Sequence, residues 1–326
     1  MDIAVSTNKG LDFGKSVIFL GRYGTILILV AMVIIFGIYL PAFRTADNFL
    51  NLLGQTAILC IFSVGLTCCL KVGDFDLSIG GTAALTGIVV AKMLAADYCI
   101  SCSIMCGLLT GVVIGLLNGV LVAYVGLSAF VCTLATMSVV LGTAQGITQG
   151  SSIWSGIPQS FGVLGRGYLV HIPVRFIIAF GLLLIIWFIH AYTKTGRRME
   201  AIGGNSEAAR LCGISVERNR ALAFMISAFC SAIAGVVLAS SLMSANPVQG
   251  TQYLLDAFGA CFIGAATVRI GQFHIWGTFV GVLIVVVAIN GLIILMVPGY
   301  LMDMIKGIIL LLAVTLSGLV GRIIKN

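Results

Sequence analysis

The sequence predicts an all-α polytopic membrane protein, and three observations carry that prediction. Of 326 residues, 60% are hydrophobic and only 9% are charged, against about 25% charged in ordinary soluble domains. Apolar runs of about 20 residues, the length that crosses a bilayer as a helix, recur from end to end. Glycine supplies 40 residues, and small residues let membrane helices approach closely. A mean hydropathy of +1.16 excludes a soluble enzyme, and a β-barrel would show short alternating segments instead. The net charge of +7 therefore reads as the charge of cytoplasmic loops, not as a nucleic-acid footprint.

Taken in order, residues 1–22 form a polar, basic tail in which Lys9, Lys15 and Arg22 anchor the first span. No cleavable signal is expected, because the apolar run that follows is long enough to span. The tail holds Gly10-Leu-Asp-Phe-Gly14-Lys15-Ser16. It resembles a phosphate-binding loop but has too few residues between the glycines, and no strand precedes it. No ATP site is expected in this chain. A single transmembrane domain, 23–320, then carries ten expected spans at 24–40, 50–70, 77–95, 103–124, 129–148, 173–192, 221–243, 253–268, 273–296 and 299–320. Pro41, Pro173 and Pro298 sit at span edges, where a missing N–H does least harm. A short tail, 321–326, closes the chain.

Charge orients these spans. With the N-terminus inside, the cytoplasmic side receives Lys9, Lys15, Arg22, Lys71, the basic residues of loop 193–220, Arg269, Arg322 and Lys325. The outer side receives Arg44, Lys92, Arg166, Arg175 and Lys306. That imbalance satisfies the positive-inside rule, and an odd span count would put the C-terminal charges outside. Both termini are thus expected in the cytoplasm. The longest outer segment, 149–172, has turn chemistry, with Trp154, Phe161 and Tyr168 suited to the membrane interface. It reads either as a surface-lying loop or as a docking surface for an outside partner.

A weak internal repeat accompanies the spans. Gly111-x-x-x-Gly115 followed by Asn118-Gly119 in span four matches Gly277-x-x-x-Gly281 followed by Asn290-Gly291 in span nine. Asp76 opens span three and Asp256 opens span eight, each ahead of a small-residue helix. An offset of five spans implies a five-plus-five inverted repeat, a transporter architecture with its pathway at the repeat interface.

Ionisable groups inside a membrane are costly and call for a role. Asp74 and Asp76, in Lys71-Val-Gly-Asp-Phe-Asp-Leu-Ser78, read either as caps of span three or as residues lining a break in the helix. Gly73-Asp74 resembles an intramembrane aspartyl protease motif, but Lys71 stands where that motif needs glycine. Asp256 reads as a helix-start carboxylate or as a partner for sugar hydroxyls. Asp303 and Lys306 are spaced to pair on one helix face. Asn118, Gln145 and Asn290, with Asn246 and Gln249, suit a polyol path, since amides match hydroxyls without burying charge. Helix–helix hydrogen bonding is the plainer reading of each. With Asp76 and Asp256, the first three form the candidate pathway. Thr133, Thr136 and Ser138 read as structural. The histidines His171, His190 and His274 lack metal-ligand spacing. Cys99, Cys102 and Cys106 have helical spacing but no His or carboxylate neighbours, so no metal site is expected; buried cysteine packs as a small hydrophobe.

The one long polar island is 193–220, with Lys194, Arg197, Arg198, Arg210, Arg218 and Arg220. Within it Gly203-Gly204 are expected to break the chain and Asn205 or Ser206 to cap a short helix. Glu207 sits in its first turn, where it complements the helix dipole. Gly213 supplies the left-handed residue that ends it. Glu207 and Arg210 are spaced to pair. So short a helix is marginal in water and must pack on something. Small Ala208 and Ala209 suit a groove, whereas a lipid-facing helix would want bulkier residues.

Residues 203–214, Gly-Gly-Asn-Ser-Glu-Ala-Ala-Arg-Leu-Cys-Gly-Ile, resemble the cytoplasmic coupling segment of bacterial sugar ABC-importer permeases. The subfamily is that of the ribose, arabinose, xylose, galactose and allose permeases. Lys71–Ser78 is similar to its GDFDLS-type segment, and Thr133-Leu-Ala-Thr-Met137 and Gln249-Gly-Thr-Gln-Tyr-Leu-Leu-Asp256 are similar to further segments, in order along nearly the whole chain. One departure is Gly264-Ala-Ala-Thr-Val-Arg-Ile-Gly271, where the family is glycine-richer. The resemblance implies a permease in the bacterial inner membrane that pairs with a second permease subunit. ATPase subunits, which would hold ATP and magnesium, would dock on Asn205, Ser206, Glu207, Ala208, Ala209, Arg210, Leu211 and Gly213. A periplasmic sugar-binding protein would deliver a monosaccharide from the other side. Open alternatives are a permease for nucleosides, branched-chain amino acids or a furanosyl signal molecule, and, in another class, a stand-alone ion-coupled carrier.

Overall fold

The computed structural model describes residues 8–267 and 271–325, and it is helical almost throughout. In order the helices are α1 (Asn8–Tyr39), α2 (Ala46–Lys71), α3 (Ile79–Ala95), α4 (Ile100–Ala123), α5 (Ala129–Thr148), the single turn α6 (Val163–Arg166), α7 (Val174–Tyr192), α8 (Lys194–Gly204), α9 (Ser206–Leu211), α10 (Val216–Leu242), α11 (Tyr253–Ala265), α12 (Ile275–Ile294) and α13 (Gly299–Lys325). Each of the ten expected spans overlaps one of them, the first only in part, since α1 starts at Asn8 and not at 24. Six (α2, α4, α5, α7, α10 and α12) are long and apolar enough to cross a membrane, and Gly24–Tyr39, α3 and α11 are shorter apolar helices. Gly10–Ser16 lies inside the helix α1. Arg269 lies outside the described residues, as do the side chains of Lys9, Lys15, Arg22, Arg322 and Lys325.

Two compact units divide the chain, one of residues 45–258 and one of the residues before and after them. In the larger unit α10 is the hub. It packs on α2, α3 and α4, and both it and α2 are largely buried in protein. The α4 contact shows how sequence sets the packing. Gly111, Gly115 and Gly119 recur one helical turn apart and face Ala232, Met225 with Ala228, and Ala221 of α10. A Cβ on Gly115 would come within 2.8 Å of the Met225 Cα, so only glycine allows the backbones to touch in this way. Residue numbers fall on α4 as they rise on α10, so these helices are antiparallel. α3 runs parallel to α10, since Ala83 meets Gly235 while Asp76, just before α3, meets Ser227. α2 and α7 run parallel to each other, with Arg175 against Gly54 at one end and His190 beside Cys68 at the other.

The segment 149–172 is more structured than a surface-lying loop. It contains a 3-10 turn, Gln159–Gly162, then α6, then a small antiparallel ladder of β1 (Tyr168–Leu169) and β2 (Ile172–Pro173). A bridge joins Ile153 to Ala245. Trp154 and Tyr168 are exposed, as an interfacial role requires, but Phe161 is buried in a core with Leu94, Val90 and Val236. The interfacial reading of Phe161 is therefore wrong: its ring is a plug, and burying it is worth about 2–3 kcal/mol. Cys99 and Cys102 are joined by a disulfide at the start of α4, so they are not the free apolar packers that the sequence suggested.

In the smaller unit, backbone meets backbone at Gly264 with Gly277 and at Gly281 with Ala260. Gly291 lies under the Phe36 ring. His274 caps α12 by accepting from Gly277 N at 2.9 Å.

Candidate functional site

The densest polar cluster is built around the break between α2 and α3. α2 ends where Gly73 takes a positive φ of 87°, open to glycine at little cost. Residues 74–78 then run without helix, carrying two buried carboxylates. Asp74 accepts two hydrogen bonds from Arg220, near the start of α10: from Nε at 2.8 Å and from a terminal nitrogen at 2.6 Å. This is the bidentate geometry that a planar guanidinium makes and an ammonium cannot.

Asp76 is fully buried. One carboxylate oxygen accepts from the backbone N–H and the hydroxyl of Ser78, at 3.0 and 2.6 Å. The other accepts from the Ser227 hydroxyl at 2.7 Å. The chain of donors continues outward: Asn118 donates to Ser78 Oγ at 2.9 Å and accepts from Thr136 at 2.7 Å. Thr133 accepts from Leu77 N at 3.1 Å and lies 3.2 Å from the Phe75 carbonyl oxygen. One irregular segment thereby ties α4, α5 and α10 together through side chains. Asp76 holds Ser78, the residue that precedes α3, and joins that start to α10, while α3 itself has no side-chain cap.

Beside this cluster lie α8 and α9. The side chain of Asn205 caps α9 by accepting from Ala208 N at 3.0 Å, and Gly213 takes the left-handed conformation at φ 77°. Both agree with the sequence reading. Two details do not. Gly203 and Gly204 are the last residues of α8, and the break comes at Asn205. Gly203 is required elsewhere, because a Cβ there would overlap the Lys71 carbonyl. Arg210 pairs with Glu217, at 2.6 Å, and not with Glu207. Three residues along a two-turn helix give the right spacing, but Glu217, in the first turn of α10, offers Arg210 a second element to hold.

The ion pairs form a relay. From exposed α9, Arg210 reaches Glu217 on α10; one turn on, Arg220 reaches Asp74; and Lys71 at the end of α2 reaches Glu200 on α8 at 3.2 Å. These pairs link α8 and α9 to the ends of α2 and α10 beside the α2–α3 break. Leu211 is 89% exposed while Ala209 is 4% exposed, so one face of α9 is seated and the other is presented outward.

Of the five pathway candidates, the structure brings Asp76 and Asn118 together. Gln145 lies on the exposed face of α5, Asp256 in the first turn of α11 and Asn290 buried in α12. Ser78, Ser227 and Arg220 are the members that sequence reasoning missed. Arg220 closes the polar island by sequence, and only the structure places it a turn inside α10. Among the described residues no group of three His, Cys, Asp or Glu is placed to hold a metal ion.

A family model described as "Branched-chain amino acid transport system / permease component" matches residues 48–314. Among curated proteins, the chain is 39% identical over 297 residues to the ribose import permease protein RbsC of Bacillus subtilis, covering 91% of this chain and 92% of that one. It is 34% identical over 306 residues to the protein of the same name from Haemophilus influenzae, covering 93% and 95%. It is 33% identical over 316 residues to the L-arabinose transport system permease protein AraH of Escherichia coli, covering 95% of each. No solved structure matches.

Proposed function

Because this chain belongs to the family of branched-chain amino acid transport system permease components, we infer that it is the membrane-spanning permease of a sugar ABC importer. The observation that carries the reading is the end-to-end similarity to permeases named for ribose and arabinose import, over at least nine-tenths of each chain. On this reading the relay has a mechanical purpose. ATPase subunits dock on the presented face of α9, and their closure on ATP displaces α8–α9. The Arg210–Glu217, Lys71–Glu200 and Arg220–Asp74 pairs pass that displacement to the α2–α3 break. The chain contributes the pathway and hydrolysis belongs to its partners. A second permease copy and a sugar-loaded binding protein complete the importer, with the binding protein on the side opposite α9. Ten crossings with both termini in the cytoplasm of the bacterial inner membrane fit the charge distribution.

The test is reconstitution in proteoliposomes with the ATPase and binding protein encoded beside it. D-Ribose, L-arabinose and D-allose are offered with internal or external ATP, or with an ion gradient alone. ATP-dependent uptake of at least one sugar is expected. Uptake driven by the ion gradient without ATP would make the chain a secondary carrier. ATP-driven uptake of leucine or a nucleoside in place of any sugar would move it to a different substrate class.

A further inference from the structure

At the end of the larger unit away from α9, residues 243–252 join α10 to α11 without regular structure. This segment does not stay at the helix ends. The Gly250 backbone packs on the Gly80 carbonyl, and the Gln249 amide lies against Gly87, half-way along α3. Irregular backbone at membrane depth is tolerated where it is buried in protein or lines an aqueous cavity. Here it does line one, of about 600 Å³, whose walls include Gln55, Arg175, Ser241, Gln249, Thr251 and Tyr253. That size falls within the range of small-molecule sites.

The wall is built for a guest with acceptors. Arg175 Nε and Gln249 Nε2 are both buried with no hydrogen-bond partner. The orientation of the Gln249 amide is fixed, because its Oε1 accepts from Asn246 N at 3.0 Å, which leaves the NH₂ as the open donor. Leaving a buried donor unmade costs about 1–3 kcal/mol. The Arg175 guanidinium reaches this position only because residue 54 is glycine: a Cβ there would overlap it. Tyr253 stacks on Phe62 with ring centroids 5.3 Å apart, which stiffens an aromatic wall. The carboxylate of Asp256 and the guanidinium of Arg175 both act on the Tyr253 hydroxyl, so this wall feels charges of both signs.

We propose that this cavity is a subsite for a neutral, hydroxyl-rich ligand of monosaccharide size, with Arg175 and Gln249 donating to its oxygens and Tyr253 flanking its ring. The assignment rests on the sugar-importer reading and adds to it a place on this chain where the sugar is held. The test places a cysteine at the exposed rim, Gln252→Cys, in the full-length permease in nanodiscs. Its labelling by a membrane-impermeant thiol reagent is read at that residue by mass spectrometry, with D-ribose, L-arabinose, D-allose, D-glucuronate or phosphate present. A neutral sugar should slow labelling saturably, reaching about tenfold at about ten times the half-protecting concentration. Arg175→Ala and, separately, Gly54→Leu should abolish protection while leaving the unprotected rate and helical content unchanged. If a sugar that the assembled complex imports with ATP gives no protection, the subsite is wrong and the importer reading stands. If glucuronate or phosphate protects and the neutral sugars do not, the ligand class is wrong. If protection survives both variants, the assigned donors are wrong. If the complex imports none of the three sugars, the importer reading fails, and this assignment with it.

Discussion

At the scale of single residues, the Arg220–Asp74 pair makes the sharpest demand on the fold. Its two members are unequally buried: the Asp74 side chain is 6% exposed and that of Arg220 is 28% exposed. Removing Arg220 strands a buried carboxylate, whereas removing the charge of Asp74 strands a guanidinium that can reach water. Arg220→Met should therefore destabilise by about 3 kcal/mol, and Asp74→Asn by only about 1 kcal/mol. Thermal denaturation of the purified protein in one detergent would rank them, and the reverse order would show that the pair is not desolvated as described. The neighbouring Asp76 has both its oxygens engaged, so Asp76→Asn places an NH₂ where either the two Ser78 donors or the Ser227 hydroxyl already points. Asp76→Ser, which surrenders the contacts but adds no donor clash, is expected to be the milder change by the same assay. Neither pairing was legible in the sequence. Asp74 and Arg220 stand 146 residues apart, and no local spacing links them. Carboxylates at a helix start have a local explanation as caps, yet Asp76 bonds to Ser78 and Ser227 and leaves α3 without a side-chain cap.

At the scale of elements, α9 shows what local chemistry can specify. The Asn205 cap and the Gly213 turn depend only on neighbours within four residues, and both were readable. A capping side chain is worth about 1 kcal/mol, and a left-handed residue other than glycine costs about 1–2 kcal/mol. Asn205→Ala and Gly213→Ala should each loosen α9 without unfolding the membrane domain. If α9 is the ATPase contact, 1 kcal/mol of lost preorganisation weakens ATPase-subunit binding about fivefold, which a titration of the detergent-solubilised permease would measure. Leu211→Asp, on the presented face, should weaken it further. Unchanged affinity in all three would remove α9 from the interface. What surrounds α9 was not readable. Gly203 looks like a helix breaker by type, yet it sits in α8 because the Lys71 carbonyl approaches its Cα. The segment 149–172 failed for the same reason. Its order comes from Ala245 and α10, far away in sequence, so no periodicity within the segment announced it. Apolar spans, by contrast, are set by composition over about 20 residues, which is why each expected span falls on a helix, although α1 begins at Asn8, sixteen residues before the expected 24.

At the scale of the whole molecule, the relay and the cavity lie at opposite ends of the same helices. α10 carries Arg220 near its first turn and Ser241 in the cavity wall near its last, and α2 carries Lys71 and Gly54 in the same relation. α3 lies between, with Asp76 just before its start and Gly87 beside Gln249. A rigid helix anchored in both places is the simplest device by which an event at α9 alters a site at the far end of the larger unit. A nucleotide can do this only if the two states of the permease bind the ATPase subunits differently, and that difference must reach the cavity through the paired residues. In the assembled complex, trapping the nucleotide state with vanadate should change the labelling rate of Gln252→Cys several-fold. Taking both charges out of the relay, Asp74→Asn with Arg220→Gln, avoids stranding a lone buried ion, so this variant should stay folded while the vanadate response shrinks. A response that keeps its full size in the folded double variant would mean that coupling bypasses the Arg220–Asp74 pair and runs through Lys71–Glu200 and α2. The matching pair, Lys71→Met with Glu200→Gln, would then be expected to remove it.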